Sequence, residues 1–466
     1  MSYRSARDIR EAVLSGDTTC EAVVAGAIAR AKAVQPELNP FTILLEDEAL
    51  ETARALDAEG PGETPCLLHG VPLVIKDMTP TKGHPTTMGS LTTGDGLTDH
   101  DAVVVERLKS QGAIVIGKTT TAEFAFSSFT RSKRYGFTRN PWDPERTPGG
   151  SSGGSAVSVA TGVVPLGEGT DMGGSVRIPA GASGIVGFKP SLGRIPMTIL
   201  PNGLNTISHF GPLASCVEDA ALFVAATAGQ HPGDLLSQRT PFQLAETVPV
   251  PVKGLRFALS VDLGYCDVQQ DVADAMHRTA EQIAANGAEI VEVSLGWTRA
   301  VYDEWLKQWN QLLSLFPTGQ TEEQLAQLDP ALAECIRDGR ALSATEYMAV
   351  DRLRTEMSLQ LGEIFESCDA LLCPTNAVEA PPVDAPEAEY EKDTAEGKFR
   401  AFDMTHPFNM VSSLPVLSLP IGLTQAGLPI GMQIAGPAHT DERLLAIAGG
   451  IEALRGPFPA PPTFQQ

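Results

Sequence analysis

Two shortages in this sequence narrow its fold and function before any motif is considered. Aromatic residues make up only 6% of the 466 residues, which favours tight packing of helices on a sheet over an aromatic-rich β-sandwich. No basic run interrupts the formal net charge of −23, and Arg131, Lys133 and Arg134 come closest to one. Nucleic-acid binding requires a cationic face to displace counterions, so we expect no nucleic-acid partner. The acidity is interpreted as a solvated surface.

Cysteine and histidine are few and scattered. The seven cysteines form no C-x-x-C pair, and the eight histidines form no H-E-x-x-H motif. This distribution is typical of a reducing compartment and disfavours a disulfide framework. We also expect no metal site, because the residue spacings that usually bind zinc are missing.

Long apolar runs are missing as well. The most apolar windows, such as 221–229, are about half the length that a bilayer requires. The N-terminal segment MSYRSARDIREAV mixes charges and lacks the apolar core of a signal peptide. We therefore expect a cytoplasmic protein without a membrane partner.

The order of predicted elements indicates an α/β fold. A capping box at Thr18-x-x-Glu21 predicts a helix to about Ala33. Alternating strands and helices predict a single large domain with a central mixed β-sheet flanked by α-helices. The proline- and acid-rich segment 375–397 is predicted to be a surface loop. The predicted strands cover 71–77, 113–118, 370–374, 415–423 and 428–436, and further helices cover 47–56, 101–111 and 442–454.

Composition divides the domain, residues 1–466, into four parts. Residues 1–60 are predicted to form N-terminal helices. Residues 62–230 and 366–455 are rich in glycine and strand-like runs, and we expect them to build the core sheet. Residues 231–365 contain more Glu, Gln and Asp and show helical periodicity, which predicts a helical insertion.

Residues 149–177 are rich in glycine and serine without being a linker. They hold nine glycines and five serines, yet apolar residues fill the middle of the stretch, whereas a flexible linker would be polar throughout. Asp171 and Arg177 flank its second glycine turn and are predicted to pair. Residues 169–175 bring small residues together where backbone N–H groups could converge on an anion, as an oxyanion hole requires.

The same stretch contains a misleading match to another enzyme class. Residues 149–153 fit the G-x-S-x-G elbow of α/β-hydrolases, but that elbow requires a preceding strand and RNPWDPERTP stands there instead. A lysine kept neutral by burial can also activate a serine. Lys76 ends the predicted strand 71–77, although pairing with Asp77 or a surface position would be an ordinary alternative.

Taken together, several segments resemble the amidase signature family. The resemblance covers most of the chain and implies a hydrolase of carbon–nitrogen amide bonds in small molecules, working without metal or cofactor. Its candidate substrates are carboxamides, anilides, carbamates and some esters. The residues that carry it are Lys76-Asp77 after a GVPLVI strand, GGSSGGSA (149–156), GTDMGGSVRIPA (169–180), GFKPSLGR (187–194) and 408–437.

The resemblance also implies roles for individual residues. Lys76 would be the base, Ser151 the bridging serine and Ser175 the nucleophile of a Ser–cis-Ser–Lys triad that forms an acyl-enzyme. The peptide bond from Gly150 to Ser151 would be cis. Backbone N–H groups of an oxyanion hole would come from Met172, Gly173 and Gly174. Supporting roles are expected for Gly150, Ser152, Ser155, Asp171 and Arg177.

The substrate side is less determined by the sequence. Tyr302, Trp305 and Trp309 lie at i, i+3 and i+7 on one helical face of the insertion. They form either a packing stripe or an aromatic lid that would suit aryl substrates and make the insertion substrate-shaping. Phe124 and Phe126 belong either to the pocket floor or to the core.

Two other functions are open at this stage. The glutamine-hydrolysing component of the tRNA-dependent amidotransferase is a member of the same family and works within a complex. It usually has an acidic residue five positions before Pro407, where this chain has Phe402 with Asp403 beside it. Its M-D-E-F-A is T-A-E-F-A here, and both departures favour a stand-alone amidase, monomeric or homodimeric. A non-catalytic binding protein is disfavoured because all three triad positions are intact.

Overall fold

Short apolar runs rich in Val, Ile and Leu form most strands of this protein, because such side chains suit a buried, pleated surface. The computed structural model describes residues 5–316 and 321–462. In that part of the chain the strands are β1 (Phe41–Leu44), β2 (Pro72–Lys76), β3 (Ile114–Thr119), β4 (Arg131–Ser132), β5 (Gly136–Phe137), β6 (Leu166–Asp171), β7 (Val186–Lys189), β8 (His209–Ala214), β9 (Arg256–Leu259), β10 (Glu289–Glu292), β11 (Ala370–Pro374), β12 (Glu391–Asp393), β13 (Phe399–Ala401), β14 (Val416–Leu423) and β15 (Pro429–Ala435).

Eleven of these strands pair into one mixed sheet within the described residues, in the order β1-β3-β2-β6-β8-β7-β14-β15-β11-β9-β10. Parallel pairs lie toward both ends, with β2 between β3 and β6, and β9 between β11 and β10. The strands from β6 to β11 pair antiparallel. The predicted α/β class with a central mixed sheet is thus confirmed.

Helices cover both faces of this sheet. Leu73 and Ile75 of β2 enter one apolar cluster, whereas Val74 between them enters another, as strand alternation requires. No helix in the described ranges is long and apolar enough to cross a membrane. The helices found there are α1 (Ala6–Ser15), α2 (Cys20–Leu38), α3 (Glu46–Glu59), α4 (Val103–Ser110), α5 (Gly153–Ala160), α6 (Arg177–Ser183), α7 (Val217–Thr227), α8 (Gln270–Ala285), α9 (Ala300–Leu315), α10 (Glu322–Leu325), α11 (Pro330–Ala341), α12 (Ala344–Phe365), α13 (Pro407–Met410) and α14 (Asp441–Arg455).

The start of α2 corrects the predicted capping box by one residue. Thr19, not Thr18, has the extended backbone of an N-cap, and its hydroxyl accepts the N–H of Ala22. The helix continues beyond its predicted end to Leu38, because Asn39 in a left-handed conformation ends it there.

The sheet draws strands from all four parts of the chain. β9 and β10, from 231–365, form one edge, and β1, from 1–60, forms the other. This corrects the expectation that 62–230 and 366–455 alone build the sheet and that the segment between them is only helical. Each of these strands has four residues. Strands of this length leave only a weak pattern in the sequence, and the helical periodicity around them obscures it. Pairing with neighbouring strands stabilises them.

The segment 375–397 is not the surface loop predicted for it. Thr375 and Ala377 are fully buried, and Asn376 pairs as an isolated bridge with Asp403. Small side chains allow this chain to continue inward from the end of β11, and residues are mostly exposed only from position 386 onward. The buried half therefore lies against the residues that precede α13.

Candidate active site

The site forms where two neighbouring parallel strands end. β2 ends at Lys76 and β6 ends at Asp171, and their parallel pairing brings both carboxyl ends to the same edge of the sheet. Ser151 lies in the turn that precedes α5, and Ser175 lies in the turn between β6 and α6. A hydrogen bond of 3.2 Å from the Ser152 N–H to the Ser175 carbonyl joins the two turns.

Lys76 is fully buried and contacts Ser151 directly. Its Nζ donates to Ser151 Oγ at 2.7 Å and to Thr170 Oγ1 at 2.9 Å. Burial lowers the pKa of Lys76 to about 7, because desolvation penalises the ammonium form, while nearby carboxylates oppose this shift. Asp77, the ordinary partner considered from the sequence, instead pairs with Lys118 at 3.1 Å.

Ser151 follows a cis peptide bond. The bond between Gly150 and Ser151 is cis, as the family resemblance implied. Gly150 is required by close packing, since a Cβ there would lie 2.9 Å from the Ser127 carbonyl oxygen. Ser151 itself is fully buried, and its carbonyl accepts the Thr130 hydroxyl at 3.3 Å. The hydroxyl that faces Lys76 is therefore held in a closely packed turn.

Four successive carbonyl groups of the turn at 172–175 are hydrogen-bonded to surrounding residues. Each bond fixes one peptide plane, and with it the direction of the N–H group that follows. The orientations of the Gly173, Gly174 and Ser175 N–H groups are thus determined by their neighbours. The donors are Trp305 Nε1 to Met172 O at 3.1 Å, Thr405 Oγ1 to Gly173 O, Ile178 N to Gly174 O at 2.7 Å and Ser152 N to Ser175 O.

The two glycines of this turn are sterically required. A Cβ on Gly173 would lie 2.3 Å from the Trp305 ring. Gly174 has a φ of +127°, which residues with a Cβ rarely adopt, and a Cβ there would collide with the Thr405 side chain. Gly173 and Ser175 are partly exposed, whereas Lys76 and Ser151 are fully buried. The turn that carries Ser175 is therefore partly open to solvent, while the lysine is not.

Asp171 and Arg177 form the predicted ion pair. Arg177 is fully buried and contacts Asp171 through two nitrogens, at 2.9 Å and 3.0 Å. Although burial alone would raise the pKa of Asp171, the Arg177 charge holds it well below its usual range. Arg177 also donates to Asn409 Oδ1, Gln433 Oε1 and the Thr405 carbonyl. The pair thereby ties the turn before α6 to α13, to β15 and to the chain before α13.

The hydroxyls of Ser152 and Ser155 hydrogen-bond to residues of β6 and β3. Ser152 Oγ donates to the Thr170 carbonyl at 3.4 Å. Ser155 Oγ donates to the Glu168 carbonyl at 2.9 Å and hydrogen-bonds to Thr119 Oγ1 at 2.7 Å. α5 begins with small residues and packs closely on β6 and β3, so its hydroxyls reach those strands first.

A cluster of aromatic rings lies beside the 172–175 turn and contacts it through Trp305. Trp305 stacks on Trp309 at a centroid distance of 6.0 Å and lies 5.7 Å from Tyr302. His406 packs against Tyr302 at 5.2 Å and against Trp305 at 5.5 Å. Tyr302 and Trp305 are partly exposed, and Trp309 and His406 are buried. The predicted stripe is thus both a packing surface and a border of the site.

The two phenylalanines considered for the pocket floor differ in their positions. Phe124 is 5% exposed and belongs to an apolar cluster with Met172 and Trp309. Phe126 packs at the edge of this cluster and is only partly buried. Phe124 is therefore a core residue beneath the 172–175 turn.

Five residues with site contacts were not predicted from the sequence as a group: Glu168, Thr170, Asp403, Thr405 and His406, of which Asp403 was noted only for its register. Glu168 and Thr170 alternate with Gly167 and Gly169 in their strand, and a reader of the sequence could have recognised this alternation. Thr405 donates to Gly173 across 232 positions of sequence. No local pattern marks such a contact.

Both carboxylate oxygens of Asp403 accept hydrogen bonds from neighbouring residues. Its Oδ1 accepts the Thr405 N–H at 3.1 Å and lies 2.7 Å from Thr405 Oγ1. Its Oδ2 accepts the Ser128 hydroxyl at 3.2 Å, and His406 Nδ1 lies 3.7 Å from Oδ1. The other nitrogen of His406 lies 2.9 Å from the Tyr265 hydroxyl. The carboxylate therefore braces the residues that hold the 172–175 turn.

Comparisons of the sequence and of the structure with known proteins indicate the same family. The sequence profile of the Amidase family matches residues 22–445. The chain is similar to an acylamidase of Rhodococcus erythropolis, with 32% identity over 463 residues that cover 98% of this chain and 96% of the relative. It is also similar to one of the subunits of the glutamyl-tRNA(Gln) amidotransferase of a Cyanothece species, with 32% identity and coverage of 96% and 97%. The crystal structure of a bacterial aryl acylamidase superposes with a TM-score of 0.89, at 29% identity and coverage of 97% and 96%.

Proposed function

The chain belongs to the amidase signature family and hydrolyses carbon–nitrogen bonds other than peptide bonds, and on that premise we propose that Ser175 is its nucleophile, Ser151 its relay and Lys76 its base. The observation that carries this proposal is the 2.7 Å hydrogen bond between Lys76 Nζ and Ser151 Oγ in a site closed to solvent. Histidine is not needed, because a buried amine can take the same part in proton transfer.

The proposed acylation begins with two proton transfers. Neutral Lys76 accepts the Ser151 proton while Ser151 accepts the Ser175 proton. Ser175 Oγ attacks the carbonyl carbon, so that a C–O bond forms and the carbonyl oxygen takes the negative charge. The relay then returns one proton to the leaving nitrogen as the C–N bond breaks. The amine leaves, and the acyl group remains on Ser175.

Deacylation follows the same route in reverse. A water molecule gives a proton to the relay and attacks the acyl carbon. The C–O bond to Ser175 breaks, and the serine regains its proton while the carboxylic acid departs. The pKa of Lys76 near 7 supports this double role, since a base works best when its pKa lies close to the working pH.

The backbone of the 172–175 turn is proposed to stabilise the oxyanion. The hydrogen-bonded carbonyls fix the N–H groups of Gly173, Gly174 and Ser175 before substrate arrives. Preorganised donors are effective because they need not reorient during the reaction. The N–H of Met172, included in the sequence-based prediction, lies at the start of the same turn.

The substrate is proposed to be a small aryl or apolar amide, such as an anilide, or an aryl carbamate. The partly exposed rings of Tyr302 and Trp305 support this choice, because Trp305 borders the turn that carries Ser175 and Tyr302 packs against Trp305. Aromatic rings contribute apolar contact area with a defined geometry, which suits a flat substrate. In this proposal Trp305 and the insertion 231–365 shape the substrate pocket, with Phe126 at its margin.

The glutaminase of an amidotransferase complex is the second candidate, favoured by the 32% identity to the amidotransferase relative. In that case Asp403 would be expected to bind the amino group of glutamine. Both oxygens of Asp403 already accept hydrogen bonds, one from the Thr405 main-chain N–H and one from the Ser128 hydroxyl. This occupation supports the stand-alone amidase.

A substrate panel with one pair of variants tests the proposal. The panel contains a p-nitroanilide, a short aliphatic amide, an aryl carbamate, and glutamine with and without amidotransferase partner proteins. We expect turnover of the aryl substrates and its loss in Ser175→Ala. Ser158→Ala is the matched control, because Ser158 lies in the same stretch 149–177 and its hydroxyl donates to the Gly154 carbonyl, away from the proposed relay. Turnover of glutamine alone would overturn the substrate class, and full activity of Ser175→Ala would overturn the nucleophile.

A further inference from the structure

A buried carboxylate that the proposed relay does not use lies beside Lys76. Glu168 is fully buried in β6, and its Oε2 accepts the main-chain N–H of Lys76 at 2.9 Å. Its Oε1 accepts the Thr79 hydroxyl at 2.9 Å. One side chain thus holds the end of β2 and the turn that follows it.

The same strand also holds the lysine side chain. Glu168 and Thr170 are two residues apart, so both project from the same face of β6. Thr170 Oγ1 accepts the Lys76 Nζ at 2.9 Å. Gly169 between them allows the close approach of α5, since a Cβ there would lie 2.8 Å from Ser152 Oγ. β6 therefore positions both the backbone and the amine of the proposed base.

Charge compensation singles out Glu168 as the partner of Lys76. The other charged groups near Lys76 on the packed elements form pairs of their own: Asp77 with Lys118 at 3.1 Å, and Asp171 with Arg177 at 2.9 Å. Among the described carboxylates around the relay, Glu168 is the one outside these pairs. It acts most strongly on the Lys76 charge, Asp171 acts on it less, and Lys118 also acts on Glu168. A buried charge without such a partner is strongly unfavourable.

We propose that Glu168 is a positioning residue of the relay, which fixes the Lys76 main chain and compensates the Lys76 ammonium that forms in each half-reaction. This inference rests on the proposed function, in which Lys76 accepts and returns a proton. It is supported by the opposite effects of burial, which lowers the pKa of Lys76 and raises the pKa of Glu168, while each charge opposes the shift of the other.

The test removes the charge and keeps the hydrogen bonds. In Glu168→Gln, the amide oxygen can still accept the Lys76 N–H, and the amide nitrogen can donate to Thr79. The Lys76 amine is titrated by NMR in the substrate-free enzyme labelled with ¹³C-lysine, and the signal is assigned by its loss in Lys76→Met. We expect the midpoint to fall by about one pH unit or more, because an opposite charge has been removed. The acid limb of kcat/KM should move in the same direction. An unchanged midpoint would overturn the proposal.

Glu123→Gln is the matched control. Glu123 is also a buried glutamate, and it accepts the Ser90 hydroxyl at 2.6 Å and the Asp329 N–H at 2.8 Å. We expect this variant to leave the Lys76 midpoint in place. An equal shift in both variants would show a general effect of removing buried charge and would contradict a specific role of Glu168.

A measurement on the unmodified enzyme covers the case in which Glu168→Gln does not fold. The carboxyl carbon of Glu168 is followed by ¹³C NMR over the pH range in which Lys76 titrates. A carboxylate present in that range supports the proposal, and a carboxyl that stays protonated throughout contradicts it. Neither titration requires turnover. If Ser175→Ala kept full activity, the proposed nucleophile would fail while the Glu168 measurement kept its own result.

Discussion

The two sides of this site are built in opposite ways. The base side, consisting of Lys76, Ser151, Glu168 and Thr170, is fully or almost fully buried and joined by hydrogen bonds of 2.7–2.9 Å. The aromatic side, consisting of Tyr302, Trp305, Trp309 and His406, is joined by ring contacts, and two of its members, Tyr302 and Trp305, are partly exposed.

The difference follows from what each side must do. A lysine stays neutral near pH 7 only where solvent is excluded, so the base side has to be part of the sheet core. A wall that selects substrates must instead remain reachable. In the proposed function, the central strands therefore hold the reacting groups, and helices outside the sheet determine which substrates bind.

Removing the base should give the largest loss of activity. Lys76→Met keeps an unbranched, buried side chain without an amine, and we expect kcat to fall by about 10³–10⁴-fold. The measurement is steady-state turnover of a p-nitroanilide, with thermal unfolding to verify the fold. Lys109→Met on α4 controls for the substitution itself. A kcat within tenfold of the parent enzyme would show that the base side is not the source of catalysis.

Breaking the buried ion pair between Asp171 and Arg177 should give the next largest effect, which is a loss of stability. Asp171→Asn leaves the buried Arg177 without its counter-charge, so we expect a loss of about 3–5 kcal/mol in the free energy of unfolding. Denaturant unfolding measures it. Asp143→Asn, at the partly exposed pair with Arg146, should change stability by less than about 1 kcal/mol. Similar losses in both variants would contradict the importance of burial.

Substitutions of Thr405 should show whether its contact with the 172–175 turn positions the turn for catalysis or binds substrate. Thr405→Val removes the hydroxyl that holds the Gly173 carbonyl, and we expect kcat to fall about tenfold, less than the loss of an oxyanion donor itself. KM should change little. Thr405→Ser, which retains the hydroxyl, should restore most of the rate. A loss seen only in KM would instead assign Thr405 to substrate binding.

The aromatic side should show the smallest and most selective effect. Trp305→Ala removes a ring beside Gly173, and we expect KM for aryl substrates to rise up to about tenfold more than KM for a short aliphatic amide. Trp305→Phe keeps a ring but loses the donor to the Met172 carbonyl, so it should lower kcat more than it raises KM. Equal changes of KM for both substrate types would contradict an aryl pocket.

The sequence predicted Lys76, Ser151 and Ser175 better than the residues that hold them in place, for a physical reason. Lys76, Ser151 and Ser175 lie in glycine-rich turns or at a strand end whose backbone leaves little choice of residue, and their motifs are readable locally. The strand Ala370–Pro374 was likewise predicted with its observed bounds. Thr405 and Trp305 act through contacts with residues more than 130 positions away, and only the folded chain brings them together.

Carbamoylation of the enzyme tests the central claim most directly, namely that an uncharged Lys76 activates Ser175 through Ser151. The enzyme is incubated with an aryl carbamate at a series of pH values, and the adduct is located and its rate of formation measured by mass spectrometry. We predict one adduct, on Ser175, whose formation slows as the pH falls through about 7, where Lys76 becomes protonated. An adduct on another residue, or a rate that stays constant from about pH 5 to 9, would contradict it.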